Sequence, residues 1–395
     1  MTQKAQNTGD DILLIDDDLW DELVKLTDGA ASLCYSCGTC TAICPWGIVK
    51  NEHLSVRSFM RLAQTGIQDQ NKDLWLCTTC AQCHEYCPRG VDIVNVFRGL
   101  RSIAWKNRSV AENLPSLLWS EFWNDNPWSQ PPSHRAHWAE ELDIPLFDAD
   151  VHEILFYVGC TSSYDLRAQK IAISLVQLLR AAGVKFGFLG NDELCCGEAV
   201  LSVGHKPYFA EISENTSRLF LERNVTRLMN VSPHCYDVFR NHYPMLKDRV
   251  EPLHYTQYLA RLLEEGRLKF EHPVDVRVTF QDPCYLGRHN QEYDAPRKIL
   301  ESIPGVELVE MANSKQNGLC CGGGGGRMWL ETPVGERFSD LRVQEVVRTE
   351  VDTLCTACPF CIVCLEDSVK VLKVNNLDVL DIAEIAALSL ASGQA

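Results

Sequence analysis

Ile154–Cys160 reads ILFYVGC, and Val276–Cys284 reads VRVTFQDPC. Each is a run of β-branched and aromatic residues that ends on a cysteine, the pattern of a buried strand leading into a loop. The residues downstream repeat as well. Ile171–Gly183 and Ala295–Gly305 read as helices that stop at glycine. Cys195-Cys196-Gly197 is matched by Cys320-Cys321-Gly322, and Ser232-Pro233-His234-Cys235 by Cys358-Pro359-Phe360-Cys361. His254–Leu263 and Leu380–Leu390 close the two copies as helices. Between Cys160 and Cys195 lie 34 residues, and between Cys284 and Cys320 lie 35; between Cys196 and Ser232 lie 35, and between Cys321 and Cys358 lie 36. Such agreement marks two copies of one unit. Strands alternating with helices make each copy α/β, with its cysteines on loops at strand ends. Residues 151–272 are the expected first unit and 273–395 the second.

Upstream, Cys34, Cys37, Cys40 and Cys44 are spaced C-x2-C-x2-C-x3-C and followed by Pro45; Cys77, Cys80, Cys83 and Cys87 repeat this before Pro88. This is the bacterial ferredoxin run for a pair of 4Fe–4S cubanes. Three thiolates at two-residue spacing wrap one cubane, and the fourth, held before a proline, points to the other. Cluster one is therefore assigned to Cys34, Cys37, Cys40 and Cys87, and cluster two to Cys77, Cys80, Cys83 and Cys44. Four-cysteine zinc sites also use C-x2-C pairs, but they rarely carry three cysteines at that spacing followed by C-P. Between and after the runs, His53–Gly66 and Val91–Trp105 have helical periodicity. Residues 1–106 are thus expected to form an all-α ferredoxin module, resembling the helical ferredoxin of succinate dehydrogenase-type iron–sulfur subunits.

Residues 107–150 change character. Pro115, Pro127, Pro131 and Pro132 interrupt regular structure. Trp119, Trp123, Trp128 and Trp138 fall in the same stretch, and the expectation is that they pin a linker onto the domains. The chain has 395 residues, 46% of them hydrophobic, enough to bury a substantial core. No secretory signal or bilayer-length apolar run is read, so a cytoplasmic protein is expected. In that compartment 19 cysteines mean metal rather than disulfides. Leu377–Ser392 is read as an amphipathic packing helix despite Asp381 and Glu384. A net charge of −16 excludes most nucleic-acid binding.

The set Cys284, Cys320-Cys321-Gly322, Cys358 and Cys361 resembles the cysteine-rich "CCG" motif. That motif occurs in the catalytic subunit of heterodisulfide reductase, and in iron–sulfur subunits of glycolate oxidase, lactate-utilisation proteins and anaerobic glycerol-3-phosphate dehydrogenase. A helical ferredoxin followed by two CCG units resembles the D subunit of heterodisulfide reductase and its bacterial relatives, over about residues 25–395. The resemblance implies a non-cubane 4Fe–4S cluster held by Cys284, Cys320, Cys321, Cys358 and Cys361. The first copy departs from the pattern at Ser232, leaving Cys160, Cys195, Cys196 and Cys235. Either Ser232 or His234 completes a different iron–sulfur centre, or this half is a decayed scaffold; four buried thiols without a role are uncommon, which tilts the reading towards a centre. Cys355 and Cys364 read as small buried residues, and Tyr157, Tyr285 and His289 as packing. Gly322–Gly326 is no P-loop, since no Lys-Ser/Thr follows; glycine there lets backbone N–H groups approach cluster sulfurs. Arg327 ends the run, either as an anion-binding residue for a substrate or partner carboxylate or as half of a surface ion pair; Cys320, Cys321 and Arg327 are the candidate reactive set.

Two functions are compatible with this pattern. In one, electrons pass through the cubanes to a CCG centre that reacts with a disulfide or thiol. In the other, the chain is an electron-transfer subunit between a flavoprotein, such as a hydroxyacid dehydrogenase or electron-transferring flavoprotein, and a quinone-reactive membrane partner. No flavin, haem or nucleotide site is read, so donor and acceptor are other subunits: a flavoprotein, a hydrogenase or a b-type cytochrome. The membrane would be reached only through such a partner.

Overall fold

The computed structural model describes residues 17–49, 54–66 and 72–390. Eight strands fall among them: β1 Ile154–Tyr157, β2 Phe186–Gly187, β3 Arg227–Asn230, β4 Glu251–His254, β5 Val276–Gln281, β6 Val306–Leu308, β7 Thr353–Thr356 and β8 Asp378–Asp381. They build two parallel sheets of the same order, β2-β1-β3-β4 and β6-β5-β7-β8. Register pairs such as Leu155↔Leu228 and Thr279↔Leu354 fix the central ladders. Helices cross between successive strands, and β1 and β7 are buried along their whole length, as parallel strands covered on both faces must be. In each sheet the strand order reverses between the first and third strands. Cys160 follows β1, Ser232–Cys235 follow β3, Cys284 follows β5 and Cys358 follows β7. The cysteine loops thus sit outside the carboxyl ends of strands at the switch point, where open α/β sheets bind ligands.

Among the described residues before 107 there are helices and no strand. The expected helices form over Val56–Gln64 and Ile93–Lys106; His53 lies outside the described residues. Asp92 caps the second helix by accepting from Asn95 N at 3.0 Å. The helix buries Arg98 and Arg101 along with its apolar residues. No helix among the described residues is long and apolar enough to cross a membrane.

Two expectations are corrected. Leu377–Ser392 is not one helix: Asp378–Asp381 is edge strand β8, and the helix runs over Ile382–Leu388. Asp381 and Glu384 form its capping box, so the acids that look like interruptions are the helix start signal; Ser392 lies outside the described residues. The 107–150 stretch holds an eleven-residue helix, Leu114–Asn124, with Pro115 in its first turn, where proline is tolerated. Trp138 does pin the chain, packing edge-on to Phe156 and Phe188, and Trp128 meets Trp329. Trp119 and Trp123 are instead 60% and 69% exposed and pin nothing.

Candidate functional site

The ferredoxin runs line two cavities of about 390 Å³ each, counting their open mouths. Cys34, Cys37, Cys40 and Cys87 surround the outer one, with Arg57 and Arg89 among its lining. Cys44, Cys77, Cys80 and Cys83 surround the inner one. The fourth cysteine of each run therefore crosses to the other triplet. Non-glycine residues adopt left-handed backbone between the cysteines, Ser36 at φ 60°, Thr79 at 53° and Ala81 at 62°. Such φ values cost energy, and here they bend the chain around the cavities. Ser36 N and Thr79 N each donate to the thiol two residues earlier at 3.4 Å.

In the second CCG unit, Cys284 Sγ lies 3.8 Å from Cys320 Sγ, and the nearby Cys321 and Cys358 thiols, with burial, push the Cys361 thiol well up. All five thiols are buried. Gly322 N donates to Cys320 Sγ at 3.3 Å. The next glycines serve another purpose. A β-carbon would sit 2.5 Å from Thr78 O at Gly324 and 2.3 Å from Cys77 O at Gly325, so the run is bare because it presses against the inner ferredoxin loop. The nearby Cys320 and burial together push the Cys80 thiol of that loop well up.

In the first unit Cys160, Cys195, Cys196 and Cys235 line a cavity of about 400 Å³ together with Ser232 and His234. Cys196 and Cys235 are 3.3 Å apart. Arg135, paired with Glu193, donates to Cys160 Sγ at 3.2 Å, and Cys195 Sγ donates to Glu121 Oε1 at 3.3 Å. Burial pushes the Glu121 carboxyl up to about 7. Ser232 Oγ accepts from His234 N at 3.2 Å, capping helix Pro233–Asn241.

His234 turns across to the second unit. Its Nδ1 lies 3.2 Å from Glu198 Oε2, although the angle is poor for a hydrogen bond. Against burial, the charge of Glu198 and the nearby Cys358 raise the pKa of the ring. Burial alone would neutralise all three groups, but their mutual interaction wins: Glu198 is drawn down to about 2, and Cys358 is drawn down to about 5 by the neighbouring Cys361 and His234. His234 stacks on Tyr285 and Tyr285 on His289 at 3.9 and 4.2 Å between ring centres, and Phe360 lies tilted against His234 at 4.7 Å. These rings join residues beside Cys235, Cys284 and Cys361.

A larger cavity, about 1170 Å³ counting its open mouth, adjoins Cys321. Trp46 and Thr78 from the ferredoxin module, Gly323, Arg327, Trp329 and Cys364 are among its lining residues. Arg327 is held by Glu331 O, Thr332 Oγ1 and Trp75 O and lies over the Trp46 ring. Cys364 Sγ is 3.5 Å from Met328 Sδ, whereas Cys355 is buried within β7.

The donor sets fit iron–sulfur clusters. All 19 cysteines are free. Among the described residues no three His, Cys, Asp or Glu side chains converge on one ion position; the thiols of the ferredoxin runs and of the first CCG unit ring cavities instead, as ligands to the separate corners of a cluster do. Buried donors at Arg101 Nε and Arg288 Nη2 lack partners beside these cavities.

Residues 30–91 match the 4Fe-4S dicluster domain, and residues 154–240 and 278–366 each match the cysteine-rich domain CCG. The chain belongs to the CCG-domain iron–sulfur proteins. It is 38% identical over 288 residues to the "Probable iron-sulfur-binding oxidoreductase FadF" of Bacillus subtilis, covering 70% of this chain and 40% of that one. It is 36% identical over 271 residues to the "EtfAB:quinone oxidoreductase" of Syntrophomonas wolfei, covering 66% of this chain and 37% of that one. The chain thus spans about two fifths of the length of these two relatives. Over 357 residues it is 28% identical to the D subunit of the dihydromethanophenazine:CoB--CoM heterodisulfide reductase of Methanosarcina barkeri, covering 82% of this chain and 85% of that one. A hypothetical protein from Helicobacter pylori shares the fold over 96% of this chain and 73% of its own, with TM-score 0.54 and 11% identity.

Sequence reasoning about this CCG protein missed the buried polar residues around the sites: Arg101, Glu121, Arg135, Glu193, Glu198 and Arg288. Most of their contacts cross large sequence distances; Arg101 bonds Gly325 O and Arg288 bonds Cys80 O. The one local signal was two arginines on the apolar face of Ile93–Lys106.

Proposed function

We propose that this CCG protein is the electron-transferring iron–sulfur subunit of an oxidoreductase. Cys34, Cys37, Cys40 and Cys87 would hold one cubane, Cys44, Cys77, Cys80 and Cys83 a second, and Cys284, Cys320, Cys321, Cys358 and Cys361 a non-cubane 4Fe–4S cluster. The first unit's four cysteines would hold a further iron–sulfur centre. Bound clusters supply one-electron acceptors. The carrying observation is the direct docking of the inner ferredoxin loop on the second CCG unit, where Thr79 Oγ1 meets the Tyr285 hydroxyl at 2.8 Å and Arg288 donates to Cys80 O at 2.6 Å, so the inner ferredoxin cysteines and Cys284 lie on touching loops. The Gly324–Gly325 backbone packs closely against Thr78 and Cys77 at that junction.

His234, Tyr285 and Phe360 pack together between residues of the two cysteine motifs. That favours electron transfer over two-site disulfide chemistry. A second reading is supported by the cavity at Cys321: a disulfide or thiol could react there at the second site alone, with Arg327 and Cys364 in its wall. The relatives' names supply the partner class. One joins EtfAB to quinone, so the donor proposed here is an electron-transferring flavoprotein and the acceptor a quinone-reactive membrane partner, with this chain on the cytoplasmic face.

The test is anaerobic stopped-flow with the full cluster-loaded chain. Reduced electron-transferring flavoprotein should bleach the cluster absorbance, and small disulfides should not restore it. A loaded chain that ignores the flavoprotein, and is reoxidised by a disulfide through Cys321, supports the second reading instead.

A further inference from the structure

Of the six buried arginines among the described residues, three bond carboxylates. Arg135 pairs with Glu193, Arg297 with Asp282 and Glu310, and Arg342 with Glu345. Arg101 and Arg288 do not. Arg101 is 0% exposed and donates only to carbonyls: Ser202 O at 2.7 Å, Gly325 O at 3.1 Å, Leu74 O at 3.2 Å and Cys77 O at 2.7 Å. Arg288 is 4% exposed and donates to Cys80 O at 2.6 Å, Gly318 O at 2.7 Å and Gln316 O at 3.3 Å. Each keeps one buried nitrogen without a partner. Arg98, one turn before Arg101, also lacks a bonded carboxylate, but it faces His242 and feels the charges of Asp237 and Glu198.

A buried guanidinium is strongly unfavourable unless an anion compensates it. The nearest anionic groups are the cysteines: Cys77 acts on Arg101 ahead of the weaker Glu198, and Cys80, Cys284 and Cys320 act on Arg288. We propose that Arg101 and Arg288 are fixed counter-charges of the inner cysteine sites. They hold the Cys44, Cys77, Cys80 and Cys83 site and the second CCG site at higher reduction potentials than the outer Cys34, Cys37, Cys40 and Cys87 site. The proposal rests on the reading that these sites bind clusters.

Reduction adds negative charge to a cluster, and a nearby positive charge favours it. The effect is large where the surroundings are apolar. Arg57 and Arg89 at the outer site are exposed, so solvent and salt screen them. Burial by itself works the other way, because it penalises the more negative reduced state. The inner sites accept electrons more readily because the arginines outweigh that penalty, and an electron shared along the chain then rests at the junction of the ferredoxin module and the second CCG unit.

The test is an anaerobic redox titration of the full, cluster-loaded chain followed by paramagnetic resonance. Loss of a signal in Cys37→Ser identifies the outer site. The inner sites should reduce at higher potential than the outer one. Arg288→Met should lower the reduced-to-oxidised ratio at the inner sites at least tenfold at fixed potential, which is 59 mV for a one-electron couple, and leave the outer site unmoved. Arg288→Lys should keep most of the wild-type value. The proposal is overturned if the outer site reduces first, if Arg288→Met moves nothing, or if Arg288→Lys shifts the inner sites as far as methionine does. Should Arg288→Met not load, the wild-type order decides alone. A wild-type chain that loads no iron–sulfur cluster refutes the functional reading rather than this inference.

Discussion

Gly325 lies against the carbonyl of Cys77 so closely that a β-carbon would sit 2.3 Å from the oxygen. The contact joins the second CCG unit to the inner ferredoxin loop, and backbone on both sides prevents easy relief. Gly325→Ala should therefore cost at least 1–3 kcal/mol, roughly the scale of an overpacked site, and lower the iron bound per chain. Gly335 is the control: its φ is +87° but nothing lies within 4 Å of the added carbon, so Gly335→Ala should cost about 1–2 kcal/mol from left-handed strain alone. Urea midpoints and iron content of the two variants check the difference.

Cys44 and Cys87 should each act on the triplet of the other run. Cys87→Ser is expected to alter the spectrum of the Cys34, Cys37 and Cys40 site, and Cys44→Ser that of the Cys77, Cys80 and Cys83 site. Paramagnetic resonance of the two loaded variants reads this directly. Each serine disturbing its own run would show that the runs are not crossed.

The repeat was legible because it is written in local runs. ILFYVGC and VRVTFQDPC carry strand propensity and a terminal cysteine within a few residues, and the two sheets share one strand order. The edge strand Asp378–Asp381 was hidden because it is four residues long and runs straight into a helix of similar apolar content. The residues that govern the sites were illegible for a different reason. The reach of Arg288 to Cys80, 208 residues away, and of His234 to Cys358 depends on how three units dock, and no local pattern encodes that. The purpose of Gly324 and Gly325 was hidden in the same way, since the atoms they avoid belong to residues 77 and 78.

The tryptophans of the 107–150 stretch should split into two classes. Trp138 is 8% exposed between Phe156 and Phe188, and Trp138→Ala should cost about 3–5 kcal/mol. Trp119→Ser and Trp123→Ser should change stability by no more than about 0.5 kcal/mol, as for surface positions. Thermal unfolding of the three variants measures the split.

His254 gives the fold an acid sensitivity. It is fully buried at the start of helix Tyr255–Glu264, and burial holds its pKa down to about 3, against about 6.5 when unfolded. Between those values the unfolded chain binds the extra proton. The contribution is complete above about pH 6.5 and is lost as pH falls towards 3, at up to about 1.4 kcal/mol per pH unit. His254→Asn keeps a capping side chain and removes the titration. Its denaturation midpoint should fall less than that of the wild type between pH 7.5 and 5, cluster loss at acid pH being common to both. Equal slopes would remove His254 as the cause.

Ser232 and Cys358 occupy the same place in the two units, each at the N-cap of the helix after the third strand. Ser232 uses its oxygen to cap, accepting from His234 N. Cys358 makes no side-chain cap, so its thiol remains for iron. Ser232 also lines the cavity of the four first-unit cysteines. Ser232→Ala should therefore cost about 1 kcal/mol of stability, the usual value of a lost cap, and leave iron content and spectrum as in the wild type. Ser232→Cys exchanges a hard, weakly acidic hydroxyl for a thiol that ionises readily and prefers iron. It completes the five-cysteine motif, and the first-unit signal should change to resemble that of the second unit. Loss of the first-unit iron signal in Ser232→Ala would make the serine oxygen a ligand and the capping role secondary.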